Sequence, residues 1–164
     1  MTDVVILNGN PRIGSRTGVL AAALAAALGS PDPQVIELAG AVAVGFGPEP
    51  VSPPSPQPDA LDVITRARLL LVATPSYKGT YTGLLKVFLD QLPTGALDGV
   101  VAVPVAVAGS PAHAEATAAD LLRLLRELGA TAPSAVAVLE SQLGDLAAIA
   151  ARHAGRLTDE FARV

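Results

Sequence analysis

Short apolar runs alternate along this chain with longer segments in which apolar residues recur every three or four positions. Val4–Asn8, Gln34–Leu38, Leu69–Ala73, Val100–Ala108 and Ser134–Leu139 read as strands. Thr17–Leu28, Ala60–Ala67, Gly83–Gln91, Ala114–Leu128 and Gly144–Phe161 carry the helical period. Five strand–helix units in alternation imply a parallel sheet covered on both faces. Right-handed crossovers and a polar turn after the first strand predict the strand order 2-1-3-4-5. Pro104 interrupts the fourth run, and a proline lacks a ladder donor, so a bulge or an unpaired position is expected there.

Composition narrows the class. At 164 residues the chain reads as one domain over 1–164, and 51% apolar with only 3% aromatic residues means a core of Ala, Val and Leu. Gly45–Pro58, with six prolines, is expected to be a stiff surface loop too short to divide two domains. The absence of cysteine removes disulfides, thiol redox chemistry and cysteine-bound metal. A net charge of −4 with no basic run argues against nucleic acid as a partner. No apolar run reaches the ~18 residues of a membrane span. No basic segment with a cleavage site opens the sequence, so a cytoplasmic location is expected.

Polar, glycine-containing loops follow strands 1, 3 and 4, and in this topology all three reach one edge, the edge where open α/β sheets bind ligands. The first, Asn8–Thr17, joins a strand to a helix start, whose free amides and positive dipole end suit an anion. Ser15 or Thr17 can cap that helix or donate to a phosphate, and Arg12 and Arg16 bring formal charge. A charged hydrogen bond is worth about 1.5–3 kcal/mol, against ~0.3–1 kcal/mol for the dipole alone. Side chains should therefore decide affinity. Gly9 and Gly14 have the spacing of a nucleotide P-loop, but Ser15 stands where its lysine must be, and no G-x-G-x-x-G occurs. The plain alternative is an ordinary turn with incidental arginines.

The second loop, Thr74 to Thr82, holds both tyrosines of the chain, Tyr77 and Tyr81. Its amides, hydroxyls and aromatic surface suit a planar ligand with polar edges, although a loop tyrosine can simply pack. Lys78 could meet a phosphate or carbonyl or be solvated. Lys86 and Asp90, four apart, read as a surface helix pair. In the third loop, Ala108–His113, Ser110 and His113 suggest a nucleophile and base, but no G-x-S-x-G elbow or placed aspartate completes them. His113 and Glu115 do not share a helix face, so a metal site is not expected. Arg152 and His153 on the last helix are expected to be solvated.

These segments resemble a known family. Gly9-Asn10-Pro11-Arg12-Ile13-Gly14-Ser15-Arg16-Thr17 is similar to the G-S-x-R-x-x-S-x-[NT] phosphate loop of NAD(P)H-dependent FMN reductases. Thr74 to Lys86 with Leu89-Asp90 resembles their P-x-Y-x-x-x-x-x-G-x-L-K-x-x-[IL]-D signature, and Gly109-Ser110 their third flavin loop. The P-x-Y-K form and the following Leu89-Asp90-Gln91-Leu92-Pro93 resemble the reductases that supply reduced flavin to alkanesulfonate monooxygenases. The resemblance implies an α/β, flavodoxin-like three-layer sandwich that binds FMN and NADPH or NADH. It further implies a flavin-dependent monooxygenase as partner and assembly as a homodimer or homotetramer. By position, Arg12, Ser15 and Thr17 would hold the phosphate, with Arg16 close by. Asn10 replaces the usual Ser, keeping a donor with a different reach. Pro75, Ser76, Tyr77, Lys78 and Gly79 would line the flavin, and Gly109 and Ser110 its far edge. No catalytic residue is named, because the cofactor carries the chemistry. Two alternatives remain: an FMN-retaining reductase of quinones, azo dyes or metal ions, and a flavodoxin-type electron carrier. The phosphate loop and flanking aromatics typical of flavodoxins are missing.

Overall fold

The computed structural model describes residues 4–41 and 59–163. Five parallel strands, β1 (Val4–Asn8), β2 (Gln34–Glu37), β3 (Leu69–Pro75), β4 (Val101–Ala108) and β5 (Val136–Leu139), form one sheet in the order β2-β1-β3-β4-β5. The expected order and fold class hold. The helices are α1 (Arg16–Ala27), α2 (Leu38–Ala41), α3 (Asp59–Thr65), α4 (Gly83–Leu89), α5 (Pro111–Glu127) and α6 (Leu146–Phe161). Consecutive strand residues point to opposite faces, and both faces are buried. Val5, Leu7, Leu70 and Val72 pack under α3, α4 and α5, with Leu85, Phe88 and Leu121 as the larger helix contributions. Ile6, Leu71, Val103 and Val105 pack under α1 and α6, against Leu20, Leu24 and Leu157.

Pro104 does not make a bulge. β4 stays in unbroken register with β3 from Leu69↔Val101 to Pro75↔Val107. Val101 donates to the Arg68 carbonyl and Ala102 to that of Thr131, so even-numbered amides of β4 face β5. Pro104 therefore aims its missing donor between the Thr131 bridge and Val136, where the ladder with β5 begins opposite Val105. The unpaired position exists, and it explains why β5 starts at Val136 and not at Ser134.

Other boundaries shift for equally local reasons. Leu38 opens α2 instead of ending β2, because β1, its pairing partner, stops at Asn8↔Glu37. α5 begins three residues before Ala114, with Pro111 in its first turn and Ser110 as N-cap. A 3-10 turn occupies Glu140–Asp145, and α6 starts only at Leu146, where the Asp145 side chain accepts from the Ala148 amide at 3.2 Å. Gly45–Pro58 lies outside the described residues.

His153 corrects a sequence expectation. Both its ring nitrogens are buried without a hydrogen-bond partner, one turn from the buried Ile149 and Leu157 along the same face of α6. Burial lowers its pKa below the ordinary 6.5, and the nearby charges of Arg152 and Arg156 lower it further. Arg152 is exposed, as expected.

Candidate functional site

The loop between β1 and α1 is shaped by its own side chains. Asn8, fully buried at the end of β1, accepts from the Asn10 amide at 3.2 Å and donates to Ser15 Oγ at 3.2 Å and Glu37 Oε2 at 2.9 Å. Asn10 accepts from the Arg12 amide at 3.0 Å and donates through Nδ2 to Thr17 Oγ1 at 3.2 Å. The Asn10 side chain thus shapes the turn from inside, with one of its two amide hydrogens committed to Thr17. Thr17 is likewise buried and bonded within the turn.

What remains outward is a set of donors. Among the described residues, the backbone N–H groups of Ile13, Gly14, Ser15, Arg16 and Thr17 have no protein acceptor. Gly14, at φ +68°, turns the chain so that these amides run directly into the first turn of α1. Ser15 caps that helix by accepting from the Gly18 amide at 3.2 Å while also accepting from Asn8. With both lone pairs engaged, its hydroxyl proton is left to donate. Arg12 is exposed and has no ion-pair partner among the described residues. Arg16 reaches instead toward Glu140 after β5, at 3.5 Å between two exposed side chains. Such a pair contributes little, so Arg16 can be recruited without much loss.

The loop after β3 is a tight hairpin. Tyr77 N–H donates to the Thr80 carbonyl at 2.8 Å, and Thr80 N–H returns a bond at 3.3 Å. Lys78 and Gly79 between them have φ +55° and +85°. Positive φ at both central residues marks a type I′ turn, which suits Gly79 but strains Lys78. Tyr77 is 45% exposed, whereas Tyr81 packs against the core beneath α4. Tyr77 is the more exposed of the two tyrosines. Pro75 and Ser76 are half-buried at the end of β3, Lys78 is exposed, and the Ser76 amide donates to the Val107 carbonyl at 2.8 Å.

Three contacts bring the loops together at the carboxyl edge of the sheet. Gly9 N–H donates to the Ala73 carbonyl at 2.8 Å, and Thr82 Oγ1 donates to the Gly9 carbonyl at 2.7 Å. In the third loop, Gly109 is exposed and Ser110 half-buried, and the imidazole of His113 lies beside Gly79, 3.8 Å from where a Cβ would sit. Thr82 also caps α4 by accepting from the Leu85 amide at 3.1 Å, and its own amide donates to Thr74 Oγ1 at 3.2 Å. Asn8, Thr74 and Thr82 are residues that sequence reasoning did not single out. Thr82, a threonine directly before a helix start, carried a legible capping signal; the buried Asn8 and Thr74 carried none. Lys86 and Asp90 form the expected surface pair.

The donors fit a terminal phosphate, and the hairpin with Tyr77 and the Gly109 edge fits a flat heteroaromatic ring. A cavity of about 500 Å³ opens at the opposite, amino-terminal edge of the sheet, lined by Val4, Leu28, Arg68, Leu69 and Phe161 among others. Its walls are apolar side chains and glycines with the Arg68 guanidinium and the hydroxyls of Ser30 and Thr158, and no loop after a strand reaches it. The carboxyl edge gathers the amides after Arg12 and the hairpin loop, and so is the candidate site.

Similarity to known proteins gives the family. A profile of the NADPH-dependent FMN reductases matches residues 2–144. The chain is 37% identical over 114 residues to an FMN reductase (NADPH) of Escherichia coli, covering 67% of this chain and 58% of that protein. It is 39% identical over 115 residues to one of Pseudomonas aeruginosa, covering 68% of this chain and 62% of that protein. The chain thus matches less than two-thirds of the length of either relative. A crystal structure of an NADH:FMN oxidoreductase in its apo form superposes with a TM-score of 0.76 at 30% identity, covering 95% of this chain and 88% of that one.

Proposed function

The chain belongs to the NADPH-dependent FMN reductase family, and from that premise we propose that it passes hydride from a nicotinamide nucleotide to FMN. The observation that carries this reading is the run of unpartnered amides from Ile13 to Thr17 beside the free Arg12 guanidinium. Arg12, the Ser15 hydroxyl and these amides hold the flavin phosphate, and Arg16 can leave Glu140 to join them. Ser76, Tyr77, Lys78 and Gly79 line the ring, and Gly109 and Ser110 bound its far edge. FMN supplies the hydride-accepting ring, so the chain's work is orientation and electrostatics. Thr82 fixes the spacing between phosphate and ring sites, because its hydroxyl spans from the head of α4 to Gly9.

In this reading the protein is a cytoplasmic homodimer or homotetramer that hands reduced flavin to a flavin-dependent monooxygenase. Ile13, 74% exposed, and Tyr77 give the rim of the site an apolar surface on which either contact could form. Among the described residues no helix is long and apolar enough to cross a membrane. The test is anaerobic oxidation of NADH and of NADPH by the purified protein, with and without added FMN. Many turnovers of added FMN are the expected result. Reduction of a single bound equivalent would replace this reading with that of an FMN-retaining reductase of another acceptor.

A further inference from the structure

The geometry points to one face of α5 as the element that sets the conformation of the ring-binding hairpin, with Asp120 as its principal positioning residue. The inference rests on the FMN reading above, because it assigns work to the ring half of that site. His113, Thr117 and Asp120 are spaced i, i+4, i+7 and so lie in a row along one side of the helix. Each meets a different residue of the loop after β3. The His113 imidazole lies against Gly79, its Cδ2 and Nε2 at 3.8 and 3.9 Å from the position of a Cβ there. Thr117 Oγ1, fully buried, donates to Ser76 Oγ at 2.8 Å. Thr80 Oγ1 donates to Asp120 Oδ2 at 2.8 Å.

The hairpin needs such a grip. It closes with two backbone bonds, one of them long at 3.3 Å, around a lysine in left-handed conformation. An isolated turn of this kind is marginal in water, and the strain at Lys78 favours its opening. Asp120 is suited to hold it closed. Its carboxylate is half-buried and has no basic partner among the described residues, so Thr80 is the donor it is committed to. A hydroxyl donating to a carboxylate is stronger than a neutral pair. Seated at Ser76 and Thr80, on both flanks of the turn, α5 fixes where Tyr77 stands between them. Asp120 touches no ligand in this arrangement; it acts through Thr80.

Affinity for FMN and for riboflavin separates the two halves of the site, since riboflavin has the ring and no phosphate. Flavin fluorescence quenching and the visible circular dichroism of bound flavin are read for wild type, Asp120→Ala, Asp120→Asn and Thr80→Val. Asp120→Ala and Thr80→Val are expected to weaken both ligands by the same factor, about 10-fold, a shift of about 1.4 kcal/mol, and to change the dichroism. Asp120→Asn keeps an acceptor for the Thr80 hydroxyl and is expected to restore most of both. Unchanged riboflavin affinity and unchanged dichroism in Asp120→Ala overturn the inference, as does a loss that Asp120→Asn does not repair. If Asp120→Ala melts below assay temperature, the same readings on Thr80→Val, a loop substitution, decide the matter. Wild-type protein that binds neither flavin would overturn the FMN reading itself, a different result from any of these.

Discussion

The two halves of the candidate site are built on opposite plans. The loop before α1 is held from within: Asn8, Asn10, Ser15 and Thr17 bond to one another across separations of two to seven residues. The hairpin after β3 is held from without, by α5 residues about forty positions away in sequence. The first plan yields a stiff cradle with outward amides, the arrangement an invariant group such as a phosphate requires. The second leaves a strained turn whose shape depends on how a separate helix sits. The side-chain bonds that shape the first loop are thus mostly local, with Glu37, Ala73 and Thr82 anchoring its base, whereas those that shape the hairpin are tertiary.

Thr82→Val should break both plans at once and have the largest effect. It strands the Gly9 carbonyl and removes the cap of α4, for a combined loss of roughly 2–4 kcal/mol in stability. Thermal melting should show it, together with lost affinity for FMN and riboflavin alike; a fall in FMN affinity with riboflavin spared would show that the halves are not coupled through this residue. Arg12→Ala should separate them. Loss of one charged hydrogen bond weakens FMN about 10- to 100-fold and leaves riboflavin and the melting temperature unchanged. Equal losses for the two ligands in a titration would remove Arg12 from the phosphate site.

His153→Leu should touch neither half and serves as the reference for stability alone. The folded-state pKa of His153 lies below its ordinary 6.5, chiefly through burial, so the unfolded chain takes up the proton first. Its contribution is therefore steady above about pH 6.5 and turns destabilising as pH falls below that value. Leucine removes both unpartnered ring nitrogens. The variant should match or exceed wild type in melting temperature at neutral pH, by up to a few degrees, and gain on it progressively in acid. Parallel curves from pH 7 to 5 would contradict the assignment.

The same division between local and tertiary control decides what the sequence revealed. The alternation of strands and helices, the sheet order and the three polar loops follow from short-range pattern and connection rules, and they were legible. So were Ser15 as a cap and the Lys86–Asp90 pair. Arg12 and Tyr77 are exposed, as polar loop residues at a sheet edge are expected to be. What was hidden depended on a partner elsewhere: β2 ends early because β1 ends, and β5 starts late because Pro104 presents no donor. The bonds of Asn10 to Arg12 and Thr17 were hidden because the loop's internal bonding cannot be read from its residue types. His153 looked solvated because the sequence does not say which face of the last helix is covered. Asp120, a charged residue on a long amphipathic helix, gave no sign of the hairpin it holds.

The scarcity of aromatic residues has a practical sequel. With no tryptophan, and with Tyr77 and Tyr81 as the chain's two tyrosines, ultraviolet emission from this protein originates almost wholly from the hairpin and its immediate flank. One ring faces outward and the other packs against the core, so quenchers in solution can address them separately. The molecule carries its own optical label at the place where its conformation matters most, and turn opening could be followed in the unmodified chain.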